Sequence, residues 1–241
     1  MWRRLFSVLI PVVASSGVEA GCIDPATLAH STASITRYFD DNETGVPPGV
    51  VAIRGTGWFL SPTMMVTVEH VTAAMKLSDR TWKELEIRKR EGRHAIAARI
   101  QRVAGAHAQK IAVLELQVAV PGASGLQLRA EPLAPDERVV SLGYPDGRPR
   151  VAGGRFVQYG DRDRLPGTAL LELYDGNDRL VLDHGASGAP VLDCSGRVVA
   201  VVSNLFTTTM QFMSRAIRVS TAWGFPNVVS VPVPDDLSRV Q

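Results

Sequence analysis

Two cysteines and five scattered histidines are all the thiols and imidazoles that this 241-residue chain offers. Neither their spacing nor their neighbours match a zinc site, so a structural zinc centre is not expected. An excess of one charge is also missing, since 26 basic and 24 acidic residues leave a formal net charge of +2. Such a balance gives no electrostatic footprint for nucleic acid. The one basic cluster, RKREGRH from Arg88 to His94, contains Glu91 and Gly92 and follows the alternating ELEIRK. It reads as a solvated hairpin tip rather than a binding patch. Internal repeats and low-complexity segments are absent. With 45% apolar and 21% charged residues, the composition excludes wholesale disorder.

What is present begins at the N-terminus. MWRR carries positive charge, LFSVLIPVVA is a short apolar run, and VEA places small residues around Glu19. That layout predicts a secretory signal peptide over residues 1–20, cleaved after Ala20. A membrane anchor is the alternative, but the run is short for a bilayer and holds Pro11. Cys22 stands near enough for lipidation, although Glu19 is a poor residue three places before a lipidated cysteine. Loss of residues 1–20 removes Arg3, Arg4 and Glu19 and leaves a formal charge of +1. In an oxidising compartment Cys22 and Cys194 are expected to pair and staple the mature N-terminus to the domain; two separate thiols are the other reading.

Asp24-Pro25 looks like an N-cap followed by proline at the first helical position, which predicts a helix from Pro25 to about Phe39. DDNETGVPPG breaks it and serves as a linker, so residues 21–49 are a helix and linker. From Val50 the pattern changes to short strands. VVAIRGTGWFL, MMVTVEHV, ELEIRK, AARIQRV and IAVLEL are followed by GLQLRAE, RVVSLGYP, GRFVQYG, ALLELYD, APVLDCSG, RVVAVVSN and MSRAIRVS. In ELEIRK, Leu85 and Ile87 share one face and Glu84, Glu86 and Arg88 the other. Strands at this spacing, separated by Gly, Pro, Asp and Asn, indicate an all-β barrel or sandwich. Pro121 to Ser124 is the expected join between two halves of roughly six strands each, 50–122 and 123–241.

Three stretches carry candidate chemistry. In DHGASGAPVLD, Gly185, Ala186, Ser187 and Gly188 form a small-residue turn between strands. A serine nucleophile needs such a turn, with its hydroxyl exposed and backbone N–H groups aimed at developing negative charge. The N–H groups of Gly185 and Ser187 are the natural donors, and an ordinary glycine turn is the competing reading. In GTGWFLSPTMMVTVEHV, His70 follows an apolar strand and would supply the base that a weakly nucleophilic hydroxyl requires. In AHAQKIAVLEL, a polar loop ending in Lys110 precedes a buried strand. The hydrolase elbow G-x-S-x-G is not matched, because Ala189 takes its last position and a strand follows Ser187.

Taken in order, GTGWFLSP, TVEH, IAVLEL, LGYP, GASGAPVLD with GRVVAVVSN, and AIRVS resemble a trypsin-like serine protease of the bacterial secreted type. The sequence is similar to the protease domain of the HtrA/Deg family from Val50 to about Thr221. The resemblance implies two six-stranded antiparallel barrels with the active site between them. It also implies His70 as general base and Ser187 as nucleophile, a polypeptide substrate or partner, and no metal or organic cofactor. It places the protein in the periplasm or outside a bacterial cell, without membrane insertion once the leader is cleaved. The substrate pocket falls on Val181 and Ser203. Val181 is not acidic, so cleavage after Lys or Arg is not implied. Ala186 stands where digestive relatives carry the aspartate that receives a newly cleaved N-terminus.

The departure with chemical weight is Lys110, which occupies the place of the triad aspartate. An ammonium near 4 Å from an imidazolium opposes it by about 4 kcal/mol at an effective dielectric of 20, and would depress the His70 pKa. The lysine stem can instead carry its charge to water. Glu69 is expected on the opposite face of a strand, Asp183 is not obviously on the correct side, and Glu115 would lie within the strand. Two functions remain from this reading: a peptidase slowed by its missing acid, or a catalytically inactive homologue that binds peptides or a partner in the same cleft.

Overall fold

The computed structural model describes residues 22–23, 25–41, 43–90, 92–105, 110–160, 165–174, 185–205, 207–212, 215–220, 228–234 and 237. A short helix α1 (Pro25–Ser31) leads into β1 (Thr32–Tyr38), then β2 (Ala52–Ser61), β3 (Met64–Val68), helix α2 (Glu69–Ala74), β4 (Lys83–Lys89), β5 (Gly92–Ala104) and β6 (Ile111–Leu116). These strands close a barrel in the order β1-β2-β3-β6-β5-β4. The second half contains β7 (Arg138–Gly143), β8 (Arg150–Tyr159), β9 (Ala169–Tyr174), β10 (Pro190–Asp193), β11 (Val198–Leu205), β12 (Thr207–Phe212), β13 (Arg215–Ser220) and β14 (Val228–Pro232). Its barrel runs β10-β11-β14-β9-β8-β7, and β12 and β13 pair apart from it as a two-stranded ribbon. Each barrel uses its first three strands consecutively and its last three in reverse, so both follow one winding.

Alternation explains the strands. In β4, Leu85 and Ile87 are fully buried while Glu84 and Arg88 are exposed. The same face continues to Lys89, which is also buried and donates from Nζ to the carbonyls of Pro121 at 3.2 Å and Gly122 at 2.6 Å. The tip expected to be solvated therefore contributes one buried cation, and that cation holds the join between barrels. The larger core centres on Trp58, Phe59, Met65, Ile87 and Leu114 and continues through Val140, Leu142 and Val201 of the second barrel. The second barrel has its own lining around Phe156, Leu171 and Val191. An apolar seam thus joins the barrels.

Three sequence expectations change. The helix predicted to reach Phe39 stops at Ser31, where the Thr32 hydroxyl donates to the Leu28 carbonyl at 2.8 Å. Thr32, Ile35 and Thr36 are β-branched and favour a strand, so the first barrel starts at Thr32 rather than Val50. GLQLRAE makes only a single bridge, Leu128 to Val198, instead of a strand. VVSVP, unrecognised in the sequence, supplies β14 and closes the second barrel between β11 and β9. Asp24, the proposed cap, lies outside the described residues.

Cys22 and Cys194 are joined in a disulfide that ties the segment before α1 to the end of β10. The adjoining turn is held by Asp193, whose carboxylate accepts the N–H groups of Ser195 at 2.9 Å and Arg197 at 3.0 Å. Arg197 and Arg129 pair with the same carboxylate, and Arg129 also bridges to Glu137.

Candidate active site

The nucleophile turn is built on two glycines with left-handed backbone. Gly185 has φ +99° and Gly188 φ +95°. A Cβ on Gly188 would stand 2.0 Å from the Thr56 carbonyl and 2.2 Å from the Thr67 hydroxyl. The turn therefore lies directly against β2 of the first barrel. Gly188→Ala combines overpacking with left-handed strain and is expected to cost about 3 kcal/mol or more. A urea unfolding midpoint equal to that of the unaltered protein would refute this packing.

Thr56 grips the turn at both ends. Its N–H donates to the Ser187 carbonyl at 2.9 Å, and its hydroxyl donates to the Gly185 carbonyl at 2.7 Å. The same hydroxyl accepts the Tyr144 N–H at 2.9 Å. From the other side, Gly188 N–H donates to the Val202 carbonyl at 2.8 Å. Ala186 is buried against Gly143, where a Cβ would come within 3.3 Å of its methyl group. Ala186 thus fills an apolar contact, in place of the acid of zymogen-type relatives. Neither Gly185 N–H nor Ser187 N–H has an acceptor among the described residues. Sequence reading passed over Thr56, although a threonine fixed between Gly55 and Gly57 was a usable signal for a residue at a close crossing of chains.

His70 lies in the first turn of α2, immediately after β3. Gly55 marks the crossing of this helix and the nucleophile turn. A Cβ there would meet Val71 Cγ1 at 2.6 Å and the Ser187 carbonyl at 3.4 Å. The elements that carry the two candidate residues, α2 and the nucleophile turn, therefore both lie against Gly55. The Ser187 hydroxyl, however, donates to the Ser203 carbonyl at 2.8 Å. The His70 ring makes no hydrogen bond among the described residues. Burial holds the His70 pKa below its ordinary 6.5, and the Glu69 carboxylate pulls it upward without cancelling that effect. The residue as a whole is nevertheless exposed. Glu69 shares a helical turn with His70 instead of alternating with it on a strand, because β3 ends at Val68.

Lys110 precedes β6, and its carbonyl accepts the Glu69 N–H at 2.9 Å. This extends the β3–β6 register, in which Val68 faces Ile111. Lys110 is thus anchored by its backbone beside the base of α2, while its side chain is exposed. The charge that the sequence suggested would lower the His70 pKa runs to water, and burial is the leading cause of the shift. Glu115 is engaged elsewhere, paired with Arg99 at 2.8 Å. Ser203 is fully buried on β11 and presents its carbonyl to Ser187. Val181 and Asp183 lie outside the described residues.

A family described as trypsin-like peptidase domain matches residues 55–201. No curated protein matches the sequence. Among solved structures, the active form of the Rv3671c protease from Mycobacterium tuberculosis has a TM-score of 0.57 at 19% identity, covering 97% of this chain and 92% of that one. The inactive form of Rv3671c has a TM-score of 0.54 at 18% identity, covering 90% and 89% of the respective chains. At such identities the likeness establishes the shared double-barrel fold.

Proposed function

The chain belongs to the trypsin-like peptidase family, and from that premise we propose that it is an exported serine endopeptidase with Ser187 as nucleophile and His70 as general base. The observation that carries this reading is the pair of N–H groups at Gly185 and Ser187, unclaimed among the described residues, on a turn clamped by Thr56 beside a serine hydroxyl. Donors held in place before reaction stabilise an oxyanion without a reorganisation cost. Ser187 first leaves the Ser203 carbonyl, a neutral hydrogen bond worth about 1 kcal/mol net. As Ser187 Oγ attacks the scissile carbonyl carbon, its proton passes to the His70 imidazole and the carbonyl oxygen becomes the bound oxyanion. Collapse breaks the C–N bond, and the proton moves from His70 to the leaving amine. Water then repeats the sequence on the acyl-enzyme and frees Ser187.

The lowered pKa of His70 keeps the ring neutral and ready to accept a proton at neutral pH. It also makes that ring a weaker base, and the Glu69 carboxylate steadies the imidazolium only in part, without cancelling the effect of burial. Turnover is therefore slow. The paired cysteines support export.

A second reading, an inactive homologue that binds peptides in the cleft, is favoured by the engagement of the Ser187 hydroxyl with Ser203. Labelling of the mature protein with a fluorophosphonate separates the two. Covalent labelling that disappears in Ser187→Ala supports the peptidase. Folded protein that stays unlabelled, with Lys110→Asp unlabelled as well, supports the binder.

A further inference from the structure

We propose that Arg54, Arg148 and Arg150 form a cationic rim on this cleft that selects acidic segments of polypeptide, an inference that rests on the cleft being a peptide site. Arg54 lies on β2 two residues before Thr56, whose N–H holds the Ser187 carbonyl. Two strand residues span roughly 7 Å, within the length of a short bound peptide. The Arg54 guanidinium lies against Gly147, where a Cβ would meet Nη1 at 3.2 Å and Cζ at 3.3 Å. Gly147 ends the turn that begins at Tyr144, and that turn also packs on Gly185. A Cβ on Gly185 would come 2.9 Å from the Tyr144 carbonyl and 3.4 Å from the Asp146 nitrogen. Guanidinium and oxyanion turn therefore flank the same four residues.

The other two arginines follow on the same chain. Arg148 comes directly after Gly147 with extended backbone, φ −109° and ψ 136°. Arg150 opposes Gly143 in the β7–β8 register, and Gly143 is the residue packed on Ala186. Positions two apart in extended chain point to one side, so Arg148 and Arg150 project together.

All three arginines are exposed. None has an ion-pair partner among the described residues, and Arg54 has only a long contact from Nε to the Thr36 hydroxyl at 3.4 Å. Arg129, Arg155 and Arg197 differ in each being paired with carboxylates. Asp146 is the opposing charge within the same turn, so these four exposed residues together keep an excess of two positive charges. Guanidinium groups match carboxylates in a planar fork and form charge-assisted bonds with them. The chain as a whole is close to neutral, so the bias is local to the cleft. An Asp or Glu side chain beside the bound segment answers it, while Lys or Arg there is repelled.

Binding by the Ser187→Ala protein tests this without catalysis. The immobilised protein is incubated with a synthetic library of random octapeptides, and retained peptides are sequenced. Asp and Glu are expected to be enriched over Lys and Arg by at least about threefold at low salt, with the enrichment shrinking as added salt screens the exposed charges. The Arg54→Gln/Arg148→Gln/Arg150→Gln variant should abolish it. Arg148→Gln/Arg150→Gln, which leaves the Arg54 packing on Gly147 intact, should reduce it. Retention without acidic enrichment, absence of retention, or enrichment unchanged in both variants overturns the proposal. Acidic enrichment in a protein that fluorophosphonate does not label would leave the rim standing and remove only the catalytic reading.

Discussion

Lys110→Asp is expected to accelerate acylation of Ser187 by up to about 10⁴, the loss seen when the aspartate of a serine protease triad is amidated. The backbone already favours the substitution. The Lys110 carbonyl is bonded to the Glu69 N–H, which fixes residue 110 beside the base of the His70 helix. A carboxylate there would orient the ring and stabilise the imidazolium formed as Ser187 loses its proton. The lysine does neither, because its side chain is exposed. The pH dependence gives a second readout with a definite sign. In the unaltered protein the His70 pKa is lowered, so the neutral base persists below pH 6.5 and the acid limb of the labelling rate falls below that value. A new carboxylate raises the pKa, and the limb should move to higher pH in Lys110→Asp. Labelling that is no faster, with an unmoved acid limb, would show that residue 110 does not reach His70.

Removal of the Cys22–Cys194 bridge, as Cys22→Ser/Cys194→Ser, is expected to destabilise the protein by about 5 kcal/mol in a chain-entropy estimate, toward the upper end of the usual range. The size follows from topology. The cysteines are 172 residues apart, so the bridge closes a loop that contains all of the first barrel and most of the second. Loop-closure entropy removed from the unfolded chain grows with the logarithm of that length. Urea denaturation of the oxidised protein against the double variant measures the difference, and excess reductant should bring the unaltered protein to the variant's midpoint. Coincident midpoints would mean that the unfolded chain gains nothing from losing the link.

The chain's own pattern was enough for the all-β class and for the segments that bear the candidate residues. Alternation in ELEIRK, a buried run in IAVLEL and small residues in GASG are local properties, and local sterics and burial decide them. Where local signals conflict, the reading failed. TASITRY follows a helix start without any breaker, so nothing in its neighbourhood announced β1, and pairing with β2 and β4 decided it. VVSVP is too short to be read alone and is a strand because β11 and β9 have open edges there. The identity of Lys110 was plain, but the direction of its side chain was not, since a flexible stem follows whichever solvent path the packed barrels leave. Thr56 is the sharpest case. In sequence it is one small polar residue between glycines. Only the docking of two barrels brings the carbonyls of Gly185 and Ser187, more than a hundred residues away, onto its hydroxyl and its N–H. Hydrogen bonds between distant segments have no local signature, so residue type and local strand pattern came from the sequence itself, while the clamp on the nucleophile turn and the cationic rim beside it were decided by how the barrels pack.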